Sequence, residues 1–475
     1  MIKCPNCTGE LDFDVKDQEI KCSYCGSVFK PDELKAKVKM SGEKKKTTDK
    51  KDEDGKYIEA NSYTCSQCGA ELMTFDETAV TFCSYCGSQA MIESKMIKQT
   101  APDFIIPFKK DKEECIKNYK KKISKALFAP SYMKKDQVIE KFRGIFIPYV
   151  IYELEHKGET HNKGSKYSHR EGDYQIYNDF SISADVDADY KGMSYDLISK
   201  YYDKFSGAIP FNPKEKLDFN PNYLVGFYAD KKDVDADVYN DEAKEVAEKD
   251  ASHQMAKSRQ FSKYGCSKPK VSLNIKEKKI GLFPVYFVAI KDKSGERVNY
   301  AVVNGQTGEV AAEIPISFTK YIITSLIMAI VVFLLINNFL VLQPKTICVC
   351  AVIFGICSLI ASSIQIGKIK AAKGHTKDKG YLFVNPIKRK TKKEKQIIKD
   401  ENPNIIPLIY KEVFSFLIPG LMLFSGTIED SHYYIAAIIG IVLVTISFKD
   451  LIKEHNLIVT NKLPQLEKRG GDENE

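Results

Sequence analysis

A chain of 475 residues with a formal charge of +8 is long enough for two or more domains. Its charge is unevenly spread: twelve Lys/Arg between Lys368 and Lys399 face only Asp378 and Glu394, so the remainder is near balance and a globally basic nucleic-acid binder is not implied. No apolar stretch precedes Cys4, and no G-x4-G-K-[ST], H-E-x-x-H or G-x-S-x-G motif occurs, so a secretory leader, a P-loop ATPase, a zincin and a serine hydrolase are unsupported and a non-enzymatic protein is expected.

Eight of the thirteen cysteines form two copies of one pattern. Cys4, Cys7, Cys22 and Cys25 read C-x2-C-x14-C-x2-C, and Cys65, Cys68, Cys83 and Cys86 repeat it 61 residues later. The flanks repeat too: Cys22–Ser27 (CSYCGS) returns as Cys83–Ser88, and Glu10-Leu11 as Glu71-Leu72. Two loops that each offer a pair of thiolates suit a tetrahedral Zn²⁺, so two ions in zinc ribbons at 1–30 and 61–93 are expected. Four thiolates close the coordination shell, which makes such sites structural. A glycine after the second cysteine relieves positive φ in each knuckle, at Gly26, Gly69 and Gly87; Thr8 stands there in the first knuckle. Leu11, Phe13, Ile20 and Phe29 are the expected mini-core of one ribbon, and Leu72, Phe75, Val80 and Phe82 of the other. Eight unliganded cysteines, iron, or an iron–sulfur cluster are the competing readings. Thiols used this way point to a reducing compartment, the cytosol.

Residues 31–60 are rich in Lys, Glu and Asp and read as a flexible charged linker that lets the first ribbon swing. Residues 102–316 read as a soluble α+β domain with an antiparallel sheet. Within it the spacing predicts a helix over Lys110–Leu127 with Ile116, Tyr119, Ile123 and Leu127 inward, and strands at Gly144–Leu154 and Tyr174–Val186. A helix is expected within Asp235–Phe261. A hairpin of Leu282–Ile290 with Val298–Val303 turns again through Asn304–Gly308 into Glu309–Ile314.

The chain then becomes apolar. Tyr321–Leu342 and Thr346–Gly367 are each 22 residues without a charge, enough to cross a hydrocarbon core of about 30 Å. Val413–Ile428 and Tyr433–Phe448 are 16 residues each, slightly short, and either span or lie re-entrant or at the interface; the first can extend back through Ile405–Tyr410 with Lys411 snorkelling to the headgroups, an extension that Glu412 opposes. An all-α membrane region of two helical hairpins is expected, at 319–367 and 404–450, joined by a basic cytoplasmic loop at 368–403 and followed by a polar cytoplasmic tail at 451–475. Basic loops stay inside, so the expectation is a multi-pass inner-membrane protein with both termini cytoplasmic. The stretch 368–399 either only sets topology or also grips anionic headgroups. The spans show no embedded carboxylate or histidine network, which argues against ion-coupled transport.

Weaker constellations remain. Asp185, Asp187, Asp189 and Asp196 have partial calcium-loop spacing, with Tyr190 where that loop needs glycine. His156, His161 and His169 fall in what reads as a polar loop near Glu159. Solvated side chains are the simpler account of both groups.

Taken together, the ribbons, Ile106–Phe108 (IPF), Gly144–Tyr149 (GIFIPY), Asn222–Gly226 (NYLVG) and Asn304–Gly308 (NGQTG) resemble a bacterial family of membrane proteins with paired N-terminal zinc ribbons. Its members carry transcription-factor-IIB-type zinc-ribbon or PriA-like replication-restart helicase labels. The resemblance covers most of residues 1–316 and implies an architecture; helicase motor motifs are missing. Membrane lipids and a protein or nucleic-acid partner recruited through the ribbons are the expected contacts. An enzyme or helicase accessory with its site in 102–316, or a zinc sensor, are the alternatives.

Overall fold

The computed structural model describes residues 3–34, 57–75, 80, 83–86, 88–89, 91–135, 142–201, 203–292, 294–337, 343–371, 378–384, 406–424 and 429–462. Phe82, Gly87, most of the 31–60 linker, and the basic stretch apart from 368–371 and 378–384 lie outside the described residues.

Strands β1 (Leu11–Asp14), β2 (Glu19–Cys22) and β3 (Val28–Phe29) form a small antiparallel sheet. Phe13 faces Ile20 across it. The second ribbon is built differently. Its strands β4 (Tyr57–Cys65), β5 (Glu71–Thr74) and β6 (Met91–Thr100) belong to the main sheet, because β5 pairs with β11 (Tyr228–Asp230) through Met73 and Ala229. Residues 57–60, expected in the linker, already run as strand.

The main sheet has twelve strands among the described residues, the short β7 (Phe104–Ile105) and β10 (Leu217–Asp218) included, and is mostly antiparallel, with short parallel pairings at its centre. At that centre β8 (Arg143–Glu171) pairs with β12 (Asn274–Lys291), which pairs with β13 (Arg297–Asn304) and, through it, β14 (Val310–Ala312). The expected hairpin and its second turn are present. The stretch Gly144–Leu154 is buried on both faces, which explains its unbroken apolar run.

Two expectations change here. β8 does not end near Leu154: with β9 (Tyr174–Asp196) it continues as a long two-stranded arm to Glu171, so the histidines lie on a strand. On the β8 side of the arm the inner face carries Thr160 and Asn162, buried polar side chains satisfied by hydrogen bonds, so no apolar alternation marks that half. Helix α1 (Lys112–Lys125), capped by Asp111, buries Cys115, Tyr119 and Ile123; it stops short of Leu127, which is exposed. Helix α2 (Asn240–Lys257) sets Ala243, Ala247, Ala251 and Met255 against the arm. Four-residue spacing puts those small side chains on one stripe and permits close approach.

Four helices follow: α3 (Phe318–Asn337), α4 (Pro344–Ala371), α5 (Ile406–Phe424) and α6 (Asp430–Val459). The last three pack on one another. Among the described residues two helices are long and apolar enough to cross a membrane, at Pro344–Gly367 and Asp430–Val459. The bundle keeps much of its apolar surface outward, Leu326, Ile353 and Ile438 included. It also encloses Glu412 of α5, which is fully buried; the expectation of helices free of embedded carboxylates is corrected by that residue.

Candidate metal centres

In each ribbon the four cysteines converge. The ligand atoms of Cys4, Cys7, Cys22 and Cys25 lie within 4.8 Å of one another, as do those of Cys65, Cys68, Cys83 and Cys86. Sulfur pairs stand 3.6 Å apart for Cys4–Cys25 and Cys65–Cys86, and 3.5 Å apart for Cys7–Cys22 and Cys68–Cys83. A disulfide needs about 2.05 Å. Tetrahedral ligands at about 2.3 Å from one ion stand about 3.8 Å apart, which is close to the observed spacing. The donor set therefore fits a divalent metal ion.

One backbone device places the thiols. In the knuckles, Thr8, Gly26 and Gly69 donate N–H to the carbonyls of Cys4, Cys22 and Cys65, while those cysteines donate to Gly9, Ser27 and Ala70. Cys83 likewise donates to Ser88. The closing residue must adopt positive φ: Gly26 has +72°, Gly69 +65°, and Thr8 +58°. Thr8 thus holds a conformation that L side chains resist.

The thiols do not share one environment. A hydrogen bond from Ser27 pulls Cys25 down to about 6, and one from Cys83 pulls Cys65 down to about 6. Its neighbours' sulfurs, Cys65 foremost, push Cys83 up. Metal ligation needs every cysteine as a thiolate, so a bound ion would displace any proton still held.

The two sites differ in their setting. All four cysteines of the second are buried, whereas Cys25 of the first is exposed. The repeated tyrosine diverges most: Tyr24 is 85% exposed and Tyr85 is 4% exposed. Tyr85 donates its hydroxyl to Asp230, and Lys200 and Lys231 reach Cys68 O and Glu71 from the sheet domain. Burial lifts Asp230 to about 7.

The first ribbon docks by its opposite face. Phe13 packs edge-on to Tyr223 at 5.5 Å and near Phe227 at 6.4 Å, and Gln18 Nε2 donates to Phe108 O at 2.7 Å. Asn222 donates to Pro31 O and Leu34 O, holding the start of the linker. The ribbon cores are therefore not independent: Leu11, Phe13 and Ile20 join one cluster with Phe108 and Phe146, while Leu72 and Val80 join another with Ile147 and Phe283.

The chain is 28% identical over 332 residues to the uncharacterized protein YdjG of Bacillus subtilis (strain 168), a match that spans 67% of this chain and 91% of that protein. No family model matches, and no solved structure matches.

The four strings outside the ribbons now acquire a physical role. Phe108 stacks on Phe227 at 4.3 Å and meets Phe146 and Tyr286 edge-on. A Cβ on Gly144 would fall 2.6 Å from Phe227, and one on Gly305 would fall 2.4 Å from Phe108. IPF, GIFIPY, NGQTG and Phe227, the residue after NYLVG, thus meet around one ring, beneath the first ribbon. Sequence reading could not find this platform, because its parts lie about 200 residues apart.

The remaining candidates do not converge. His156, His161 and His169 each bond separately, to Ser272 O, Ser183 Oγ and Ser168 Oγ. Asp185, Asp187 and Asp189 alternate along exposed strand β9, and Asp196 is buried at its end. An extended strand cannot wrap a calcium ion. A cleft of about 630 Å³ between the arm and α2 is lined by His161, Glu248 and Lys249 among others; Glu248 accepts from Leu273 N and Lys249 pairs with Glu245.

Proposed function

We propose that this chain is a membrane-anchored zinc-ribbon protein, a non-enzymatic recruitment factor that presents its ribbons to a protein or nucleic-acid partner at the inner membrane face. The observation that carries the reading is the union in one chain of two tetrathiolate clusters and apolar helices with outward-facing Leu, Ile and Val. Cys4, Cys7, Cys22 and Cys25 would hold one zinc, and Cys65, Cys68, Cys83 and Cys86 the other. The ion's part is structural: it ties two loops that bury too little apolar surface to stay closed alone. The second ribbon is then a strut of the sheet, and the first leaves its Tyr24 knuckle free for a partner.

The contacts between sheet and bundle support a two-hairpin arrangement with both termini cytoplasmic. Lys320 at the start of α3 donates to Ala129 O at 2.6 Å, and Asn456 near the end of α6 bonds Ile316 through both N–H and C=O. Lys379, in the connection between α4 and α5, pairs with Glu242 at 2.9 Å. Chain ends and connection meet the same soluble domain. By its charge alone, the basic stretch 368–399 would favour anionic headgroups on the side where that connection lies.

The test has two arms. Full-length protein should carry two zinc ions, stay in carbonate-washed membranes, and lose crosslinked partners in intact cells when Cys4→Ser/Cys65→Ser is introduced. Identical partner lists from variant and wild type would remove recruitment. A zinc-sensor reading has one specific support, the exposed Cys25 beside the strained Thr8 knuckle. Equal zinc affinities at the two sites would end it.

A further inference from the structure

Three helices of the bundle close around a single carboxyl group. Glu412 on α5 accepts from Ser358 Oγ at 2.7 Å through Oε2 and from Ser362 Oγ at 3.0 Å through Oε1. The two serines lie one turn apart on α4, so one helix face supplies a hydroxyl to each carboxyl oxygen. Small residues let the helices approach: a Cβ on Gly355 of α4 would meet Ser415 Oγ at 2.9 Å, and one on Gly440 of α6 would meet Ser415 O at 2.7 Å. Ser415 and Ser447 are fully buried beside this seam, and Ser415 donates to Glu412's own carbonyl. A polar interior thus runs through a bundle whose outer surface is aliphatic.

Charge accounting decides what the carboxyl group needs. Among the described residues Glu412 takes part in no ion pair. Near this level Lys411 of α5 and Asp450 of α6 pair with each other, and Lys449 of α6 lies over the ring of Phe318. The part of α4 that carries the serines has no charged residue from Thr346 to Gly367, and α6 has none from Tyr433 to Phe448. An uncompensated carboxylate in such a setting costs several kcal/mol even with two neutral donors. Its oxygens offer about four lone-pair sites, and the serines engage two. One positive charge held on the carboxyl oxygens, beside the two serine hydroxyls, would balance the carboxylate.

We propose that Glu412, Ser358 and Ser362 form a binding site for one exchangeable monovalent cation, a proton or a sodium ion. Either supplies the same unit charge to the same carboxyl oxygens. The site is internal to the bundle and does not depend on the zinc ribbons or on a recruited partner.

The experiment treats full-length protein, in membranes and in detergent micelles, with dicyclohexylcarbodiimide, which attacks protonated carboxyls in apolar surroundings. Peptide mass spectrometry reads the modification. Glu412 should be labelled at low pH, at least about tenfold less two pH units above the midpoint, and the labelled peptide should vanish in Glu412→Gln. Ser358→Ala/Ser362→Ala, which keeps the carboxyl group, should move the midpoint by about one pH unit or more, because a hydrogen bond to a charged group contributes about 1.5–3 kcal/mol. A role in packing alone would leave that midpoint in place. Sodium set against choline at fixed pH separates the two occupants: protection assigns sodium, and unchanged labelling with a pH midpoint assigns the proton. Labelling insensitive to both pH and sodium would overturn the proposal in favour of a permanently protonated helix tether, and folded protein never labelled at Glu412 would also overturn it. A chain released by carbonate but still labelled in micelles would end the membrane reading and leave this site standing.

Discussion

Exchanging the knuckle residues of the first ribbon isolates backbone strain from every other contribution. Thr8 sits at φ +58° and Gly26 at +72°, in equivalent positions around one cluster. The left-handed conformation costs a non-glycine residue about 1–2 kcal/mol. Glycine gives back about 0.5–1 kcal/mol through the freedom it adds to the unfolded chain. The bond from Thr8 Oγ1 to Cys7 O is exposed, and water replaces it at little cost. A Cβ at Gly26 would meet nothing within 4 Å, so the reverse change is also free of steric terms. Thr8→Gly should therefore stabilise the zinc-bound ribbon by about 0.5–1 kcal/mol, and Gly26→Thr should destabilise it by a similar amount. Since ribbon closure and ion binding are one equilibrium, these become roughly two- to fivefold shifts in zinc affinity, in opposite directions. Chelator competition on full-length protein, with Cys65→Ser/Cys68→Ser to silence the second site, measures them. Weaker zinc retention in Thr8→Gly, or no loss in Gly26→Thr, would refute the strain argument.

Further predictions rest on named contacts. Tyr85→Phe strips the buried Asp230 of its hydroxyl donor and should cost about 1–3 kcal/mol in thermal or urea unfolding, whereas Tyr24→Phe should change stability by less than about 0.5 kcal/mol. Because burial holds Asp230 near 7 against 3.8 unfolded, the folded state keeps a proton the unfolded chain has lost; this residue's contribution to stability should fall as pH rises from about 4 to about 7, and Asp230→Asn should flatten that slope in a pH series of melts. Phe108→Ala should cost about 3–5 kcal/mol and raise protease cleavage between the first ribbon and the sheet, since the lost ring stacks on Phe227, the neighbour of Phe13 in that ribbon, while the Gln18 bond to the Phe108 carbonyl stays. Gly305→Ala forces a Cβ against Phe108 and Pro284 O and should cost about 1–3 kcal/mol, measured by urea midpoint.

The metal clusters were legible because their information is local: four cysteines, a turn residue and a fixed spacing specify the geometry within 25 residues. The hairpin from Leu282 to Val303 was legible for the same reason, as two apolar runs about a short turn. What escaped depends on distant chain segments. Whether a ribbon stands alone or joins a sheet is decided at Met73 and Ala229, about 150 residues apart, and no feature of the ribbon itself records it. The outer part of β8 escaped because Thr160 and Asn162 fill its inner face with hydrogen-bonded polar side chains, which removes the alternation that marks β9 opposite. In the sequence Glu412 reads only as an obstacle to a helix crossing, because Ser358 and Ser362, which satisfy it, lie in another helix.

The end of α6 is fastened with unusual thoroughness. Arg297, on β13, donates Nε to Thr460 Oγ1 and Nη2 to the carbonyls of Leu457 and Thr460, while β15 (Asn461–Lys462) pairs with Arg297 and Val298. The polypeptide also enters the bundle at Phe318, beside Asn456. One attachment would act as a swivel; two, joined by a guanidinium cross-brace, transmit torque. A tilt or roll of that last helix therefore has nowhere to dissipate before it reaches β13, whose neighbour β12 runs beneath Phe108 and the amino-terminal finger.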